Sequence, residues 1–137
     1  MLELALKAKL PLIAVSTTDR VNFTAIIYHL TKKHPVKYTK ETAVKKGNIY
    51  YGFHAGHSED LPLALRDQMV EYDSSYIAIN FDRVPISFFN AGEMPVPKEL
   101  VTNLIRLVAG DSPALGAMAS AVGGLTLKEV EEAMRLT

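Results

Sequence analysis

The feature that most constrains the fold is an apolar segment that leads through a polar turn into an amphipathic helix. The run Leu12-Ile-Ala-Val15 has the length and composition of a strand buried on both faces. The helix-capping residues Ser16-Thr-Thr-Asp19 follow, and a helical stripe begins at Phe23. Many nucleotide-binding folds open in this way, but a phosphate loop needs glycines and a lysine, and this turn contains neither. The segment predicts an α/β fold without a phosphate site.

The remaining strands and helices up to residue 92 predict a small, mainly parallel sheet with flanking helices, a degenerate P-loop or AAA-like arrangement. Strand-like runs rich in aromatic and β-branched residues alternate with polar turns and helical patterns. Residues 2–9 fit either a strand, from the alternation of Leu2, Leu4 and Leu6, or a short helix ending before Pro11, which their composition favours. The other predicted elements are strands at 35–38, 48–53, 76–80 and 86–89, and helices from about 23 to 32 and 61 to 72.

From Pro97 onward the apolar periodicity is helical. The pattern predicts a three-helix, lid-like bundle, with helices from 97 to about 109, from 112 to 122 and from 126 to the end. Thr126 and Glu129 have the spacing of a capping box at the start of the last helix. We expect an α/β part at 1–92 and a helical part at 93–137, together forming one compact domain.

Composition limits the classes of function. The chain has 137 residues, a formal net charge of zero and no cysteine. Zero net charge offers no footprint for nucleic acid or an anionic membrane, and the lack of cysteine excludes disulfides, thiol nucleophiles and thiolate metal sites. No signal-peptide layout and no membrane-length apolar run is present in the sequence. These features are typical of a cytoplasmic protein.

The segment between the third strand and the next helix contains the only cluster suited to metal or acid–base chemistry. His54, His57, Glu59 and Asp60 combine two imidazoles with two carboxylates in a short loop. The alternative is a solvated loop in which Asp60 caps the following helix, and this alternative is favoured because no cysteine completes a closed structural site. A small metal-dependent enzyme that uses this loop stays open as a second hypothesis.

Two further groups of polar residues have weaker functional interpretations. Asp82-Arg83 follows the strand at 76–80, where an α/β ATPase would place a metal-binding carboxylate or a polar sensor residue, although a loop ion pair is the simpler interpretation. Lysines at four positions could serve a weak nucleic-acid adaptor, a third hypothesis that zero net charge disfavours. These positions are Lys32, Lys33, Lys45 and Lys46.

Both ends of the chain resemble the amino-terminal region of a group of AAA+ ATPases found in bacteriophages, cyanobacteria and plastids. The first matching segments are Leu2-Glu-Leu and the run from Lys9 to Val21. The second are Met94-Pro-Val-Pro-Lys-Glu-Leu and the helix Gly124-Leu-Thr-Leu-Lys-Glu-Val-Glu-Glu-Ala, whose motif is the more specific. Residues 36–75 match no pattern of that group.

The resemblance implies a non-catalytic amino-terminal domain that acts in assembly or in recognition of a partner or substrate protein. In such ATPases the Walker motifs lie carboxyl-terminal to this region, so no catalytic residue of the group has a position here. We therefore expect no enzymatic activity and no cofactor in this chain alone, with ATP bound only by the longer protein of which it would be a piece. The expected partner is a protein or the ATPase module, and a homo-oligomer stays open.

Overall fold

A computed structural model describes residues 1–39, 41–55, 64–109 and 126–135. The described part of the chain contains both helices and strands in its first two thirds and only helices thereafter. They are α1 (Leu2–Lys7), β1 (Leu12–Ser16), α2 (Phe23–Thr31), β2 (Val36–Lys37), β3 (Ile49–Phe53), α3 (Leu65–Glu71), β4 (Ser75–Ile79), β5 (Phe89–Glu93), α4 (Lys98–Ala109) and α5 (Leu127–Arg135). None of these helices is both long and apolar enough to cross a membrane.

The chain divides into two compact units. One unit comprises residues 1–17 and 27–94 and contains the sheet, and the other comprises residues 18–26 and 95–137 and is helical where it is described. The boundary falls within α2, whose first four residues belong to the helical unit.

The sheet unit is built on five parallel strands in the order β2-β3-β4-β1-β5. Leu12 pairs with Tyr76 between β1 and β4, and Ile49 pairs with Ser75 between β3 and β4. The predicted fold class, α/β with a small parallel sheet and flanking helices, is confirmed. The short helix predicted before Pro11 is also confirmed as α1.

Apolar burial concentrates on the central strands. All five residues of β4 are buried, and Ile13, Ile77 and Ile79 are fully enclosed, as expected for parallel strands covered on both faces. The buried Tyr50 hydroxyl accepts a hydrogen bond from the Lys45 backbone N–H at 2.7 Å, so this ring is enclosed without losing its polar partner.

The last strand differs from the prediction. The apolar residues at 86–89 predict a strand there, but β5 begins at Phe89 and Ile86 is fully exposed. β5 contains Asn-Ala-Gly, a sequence of low strand propensity, and its pairing with β1 defines it. A bulge follows Asn90, because Gly92 has a left-handed φ of 74° and its N–H donates to the Asn90 side chain at 3.0 Å.

The helix α3 is shorter than predicted. It begins at Leu65, and residues 56–63, which include most of its predicted first turn, lie outside the described part. The apolar periodicity of the sequence places Ala64, Leu65, Met69 and Tyr72 on one face of this helix. Leu65 and Met69 are buried, whereas Ala64 and Tyr72 are exposed, so fewer positions of this face are buried than the periodicity predicts.

The helical unit contains α4 packed against α5. Val101 and Ile105 of α4 are buried, in agreement with the helical spacing of apolar residues in this segment. The capping box is confirmed, because the Glu129 N–H donates to Thr126 Oγ1 and the Thr126 N–H donates to Glu129 Oε1, each at 3.1 Å. The helix predicted at 112–122 lies outside the described residues.

Candidate functional site

The strand order fixes where a ligand site would form in a sheet of this type. Strands β1 and β4 are neighbours in the sheet. From β1 the chain continues to β2 at one edge of the sheet, and from β4 it continues to β5 at the other edge, so the two connections run in opposite directions. Open parallel sheets bind ligands at such a switch point, outside the carboxyl ends of the strands. The candidate site is thus the edge where β1 ends in Ser16 and β4 ends in Ile79.

Asn80 closes this switch point. Its side-chain oxygen accepts the Thr17 N–H at 2.7 Å, and its side-chain amide donates to the Thr17 carbonyl at 2.8 Å. The Asn80 backbone is left-handed, with φ of 62°, a conformation that asparagine adopts more readily than most residues, and its own N–H donates to the Val15 carbonyl. The backbone groups that a ligand would meet after β1 are therefore bonded to a protein side chain.

The capping prediction for the β1–α2 turn is correct for only one of its residues. Ser16 belongs to β1 and its hydroxyl donates to the Gly92 carbonyl at 3.4 Å, while the Thr17 backbone pairs with Asn80. Neither residue lies in a helical first turn. Because α2 begins at Phe23, six residues after Thr17, the distance along the chain is too large for Ser16 or Thr17 to cap it.

Asp19 is the residue that caps, and it does so for two helix starts that both lie in the helical unit. One of its oxygens accepts the N–H of Asn22, directly before α2, at 3.2 Å. The other accepts the N–H of Lys128, in the first turn of α5, at 2.9 Å. The Asn22 side-chain amide also donates to this carboxylate, which is buried. A protein carboxylate thus occupies two helix N-termini, where anions are stabilised by the helix dipole.

His54 lies at the same carboxyl edge of the sheet, directly after β3. Its backbone N–H donates to the Ile79 carbonyl at 2.8 Å, and its Nε2 lies 2.8 Å from the Tyr76 hydroxyl. Its buried ring packs on Phe81, with ring centroids 4.4 Å apart. Gly52 leaves room for this pair, because a Cβ there would collide with the Tyr76 hydroxyl.

The loop with the candidate metal ligands is only partly within the described structure. His54 is in place as described, whereas His57, Glu59 and Asp60 lie outside the described residues. Within residues 1–39, 41–55, 64–109 and 126–135, no three His, Asp or Glu side chains are arranged to hold a metal ion. The Nε2 of His54 faces the Tyr76 hydroxyl, which gives this imidazole a structural role beside the rings of Tyr76 and Phe81.

Sequence reasoning did not single out Asn80. It considered Asp82-Arg83 for the edge position while favouring a loop ion pair, and the structure places both residues in an exposed loop. The signal for Asn80 was available: a polar residue ends an otherwise apolar buried strand, and asparagine tolerates the left-handed conformation that a tight exit requires. Its partner Thr17 is 63 residues away along the chain, and no local pattern identifies that contact.

The four lysines of the nucleic-acid hypothesis are exposed. Lys33 and the 45–46 pair come close together at the opposite, amino-terminal edge of the sheet, because Lys33 Nζ donates to the Gly47 carbonyl at 2.6 Å. The Lys45 backbone joins the core through Tyr50 and Ser74.

Three comparisons were made, with protein-family models, with curated proteins and with solved structures. None of them gave a match.

Proposed function

We propose that this chain is a non-catalytic amino-terminal domain of an AAA+ ATPase that acts in assembly or in recognition of a partner protein. The proposal rests on the likeness of both chain ends to that group of ATPases and on the chemistry of the β1–α2 turn. Its proposed setting is the cytoplasm, in keeping with a chain without cysteine.

The reciprocal pair between Asn80 and Thr17 is the observation that supports this proposal most. At the switch point, where an ATPase of parallel-sheet architecture would bind phosphate, the Thr17 N–H and carbonyl are both bonded to Asn80. The turn has no glycine through which other N–H groups could approach a phosphate, and no lysine. A fold that retains the strand–turn–helix unit without these parts is suited to binding proteins rather than to hydrolysing nucleotide.

Asp19 adds an independent argument from the helical unit. In a phosphate-binding turn the helix N-terminus receives the ligand's negative charge, whereas here the buried Asp19 carboxylate supplies that charge at the start of α2 and at the first turn of α5. A nucleotide phosphate at α2 would have to displace this carboxylate and break its bonds with α5.

Residue-resolved NMR tests the absence of a nucleotide site at the turn. We expect Mg-ATP to leave the amide signals of Thr17, Asp19 and Asn80 unchanged. Saturable shifts of these three signals, accompanied by a rise in melting temperature, would contradict the proposal, since a ligand that binds the native state must raise its stability.

The coding sequence provides the second test. We expect the reading frame to continue beyond codon 137 into a G-x-x-x-x-G-K-[ST] motif. The ATPase module that it encodes, produced separately, should then bind this chain or change its own oligomeric state when this chain is added, as measured by light scattering. A stop codon after Thr137 would contradict the proposal.

A further inference from the structure

The amino-terminal edge of the sheet contains a cleft of about 260 Å³, close to the lower end of small-molecule sites at about 300–1,000 Å³. Its apolar lining comes from Leu6, Leu30 and Ile49. This edge is opposite the switch point, because Ile49 is the first residue of β3. The cleft therefore has no part in the arrangement around Asn80.

Positive charge concentrates around this cleft although the whole chain is neutral. Three lysines line it, Lys7, Lys9 and Lys33, together with one carboxylate, Asp73. Two further charges lie close to the lining. The exposed Glu3 pairs with Lys7 at 3.2 Å, and the charge of Lys46 lowers the pKa of Asp73. The group thus contains four ammonium groups and two carboxylates. Two positive charges are left in excess.

Two of the lining side chains come from an unusual backbone position. Helices α1 and α3 both end in a Schellman motif: Leu10 N–H donates to the Ala5 carbonyl at 3.1 Å, and Ser74 N–H to the Met69 carbonyl at 2.8 Å. The left-handed residue of such a motif is usually glycine. Here Lys9, with φ of 55°, and Asp73, with φ of 52°, occupy those positions.

These two left-handed residues are joined by their side chains, with Lys9 Nζ 2.6 Å from Asp73 Oδ2. On another side of the cleft, Lys33 Nζ is held by the Gly47 carbonyl at 2.6 Å. Each ammonium has three N–H donors and uses one of them in the bond described, which leaves donors for a ligand. The ammonium groups are therefore positioned before any ligand arrives.

We propose that this cleft binds a phosphate monoester. Such a group carries a charge of about −1.5 to −2 at neutral pH, which matches the excess of two positive charges, and lysine binds phosphate as a point charge. The apolar lining would contact a non-polar moiety attached to the phosphate. Lys9 and Asp73 occupy backbone positions that glycine fits best, and a strained backbone position of this kind is consistent with a use for their side chains.

The ends of three helices oppose this binding in part. Helices α1, α2 and α3 end near this edge, and each carboxyl terminus has a partial charge of about −0.5 at most. Their last carbonyls already accept N–H groups from residues such as Lys9, Lys32 and Asp73, and α1 and α3 have only six and seven residues. The formal charge of the lysines exceeds this effect, and binding in the millimolar range is expected.

Amide NMR of the whole chain, titrated with inorganic phosphate or phenyl phosphate against chloride at equal ionic strength, tests the proposal. We expect saturable shifts at Lys9, Gly47 and Asp73, with tighter binding of phenyl phosphate because its ring contacts the apolar lining. Shifts that do not saturate, or that chloride reproduces, would overturn the proposal.

Two substitutions should change the affinity for phenyl phosphate in opposite directions. Lys9→Gly removes an ammonium while suiting the left-handed backbone, and Asp73→Asn removes the competing carboxylate with a residue that tolerates the same conformation. We expect more than about tenfold weaker and more than about tenfold tighter binding, because a unit charge about 4 Å away in water changes the affinity about fivefold for each opposing unit charge and the phosphate carries more than one. Lys37→Gln, an exposed lysine outside the cleft, should leave the affinity unchanged. Equal affinities in all four proteins would refute the site.

A mixed oligonucleotide that lacks a terminal phosphate distinguishes a phosphate monoester from a nucleic-acid backbone as the ligand of this cleft. A phosphodiester carries one charge and has no free end to enter a cleft, so we expect weaker shifts at Lys9 and Asp73 than with phenyl phosphate. Tighter binding of the oligonucleotide at these residues would overturn the proposal in favour of a nucleic-acid backbone. Because Thr17 and Asn80 report on the opposite edge, failure here is distinguishable from failure of the proposed function.

Discussion

At the residue scale, a few buried or partly buried polar side chains form hydrogen bonds between distant parts of the sequence. The Asp19 carboxylate accepts N–H groups at the starts of two helices, and its partner Lys128 is 109 residues away. Asn80 and Tyr76 do the same in the sheet unit through Thr17 and His54. Removal of any of these side chains leaves a buried or partly buried donor or acceptor without this partner. Substitutions at these residues should therefore destabilise the fold more than the size of the side chain suggests.

Replacement of Asp19 by alanine should destabilise the chain by about 2 kcal/mol, because two helix starts lose a cap worth about 1 kcal/mol each. Urea unfolding of the variant and the parent measures the difference. Asp82→Ala, which removes a carboxylate from an exposed loop, serves as the matched control and should change the free energy of unfolding by less than about 0.5 kcal/mol. Equal effects of the two substitutions would contradict the role of Asp19 as a double cap.

Replacement of Gly52 by alanine should destabilise the sheet unit by about 1–3 kcal/mol, because the new Cβ collides with the Tyr76 hydroxyl. Tyr76→Phe removes that hydroxyl and the bond to His54, and it should cost about 1–2 kcal/mol alone. In the double variant the collision is relieved, so the two costs should sum to more than the measured effect. Additive costs in urea unfolding would show that the hydroxyl does not cause the collision.

At the element scale, the elements with a clear local pattern are predicted correctly, whereas the position of β5, which depends on its pairing partner, is not. The capping box of α5 needs only Thr126 and Glu129, three residues apart, and it was predicted correctly. β5 needs β1 as a partner and its own residues favour a turn, so the local pattern predicts a strand in the apolar run just before it instead. In the candidate site, the lack of a phosphate loop was visible in sequence, whereas the Asn80–Thr17 pair was not.

The Schellman ends of α1 and α3 carry a prediction about stability. A non-glycine residue in the left-handed region costs about 1 kcal/mol, while the exposed ion pair of Lys9 with Asp73 contributes about 0–1 kcal/mol. Lys9→Gly should therefore have an equal or higher free energy of unfolding in urea. Ala8→Gly, one residue earlier in a right-handed conformation, is the control and should lower it by about 0.5–1 kcal/mol. A large decrease in the free energy of unfolding for Lys9→Gly, without one for Ala8→Gly, would show that the ion pair contributes more than the left-handed backbone costs.

The same ion pair makes stability depend on pH. The hydrogen bond from Lys9 holds the pKa of Asp73 below its ordinary value of 3.8, with smaller contributions from the charges of Lys9, Lys46 and Lys33. A carboxylate whose pKa is lower in the folded state stabilises the fold above the pKa of the unfolded state, and the benefit is lost as pH falls through the folded pKa. Asp73→Asn should therefore show a smaller loss of stability than the parent on acidification below 3.8, measured by urea unfolding. Identical acid profiles would contradict this coupling.

At the scale of the whole molecule, the sheet unit is organised around β1 and β4. These strands are paired on both sides and buried, whereas β2 is a two-residue edge strand with exposed side chains. We expect the backbone hydrogen bonds of β2 to open most readily and those of β1 and β4 least readily, because hydrogen exchange requires the hydrogen-bonded strands to separate.

Hydrogen exchange should therefore be slowest for the amides of Ile77, Ala78 and Ile79 in β4 and fastest, within the sheet, for Val36 and Lys37 in β2. Mass spectrometry of peptides or amide NMR measures these rates. Asn80→Gly, which keeps the left-handed backbone but removes both bonds to Thr17, should speed exchange at the ends of β1 and β4 and leave β3 unchanged. Similar rates in all five strands would contradict a sheet stabilised from its centre.

The parallel pairing of β1 with β4 also affects how the chain folds as it is synthesised. Leu12 pairs with Tyr76, which leaves the ribosome only after α2, β2, β3 and α3. Until then the apolar residues of β1 have neither of their neighbouring strands, since β5 follows later still. Co-translational folding of the sheet must therefore wait for β4, and during that interval β1 is the segment for which a ribosome-associated chaperone would have the greatest use.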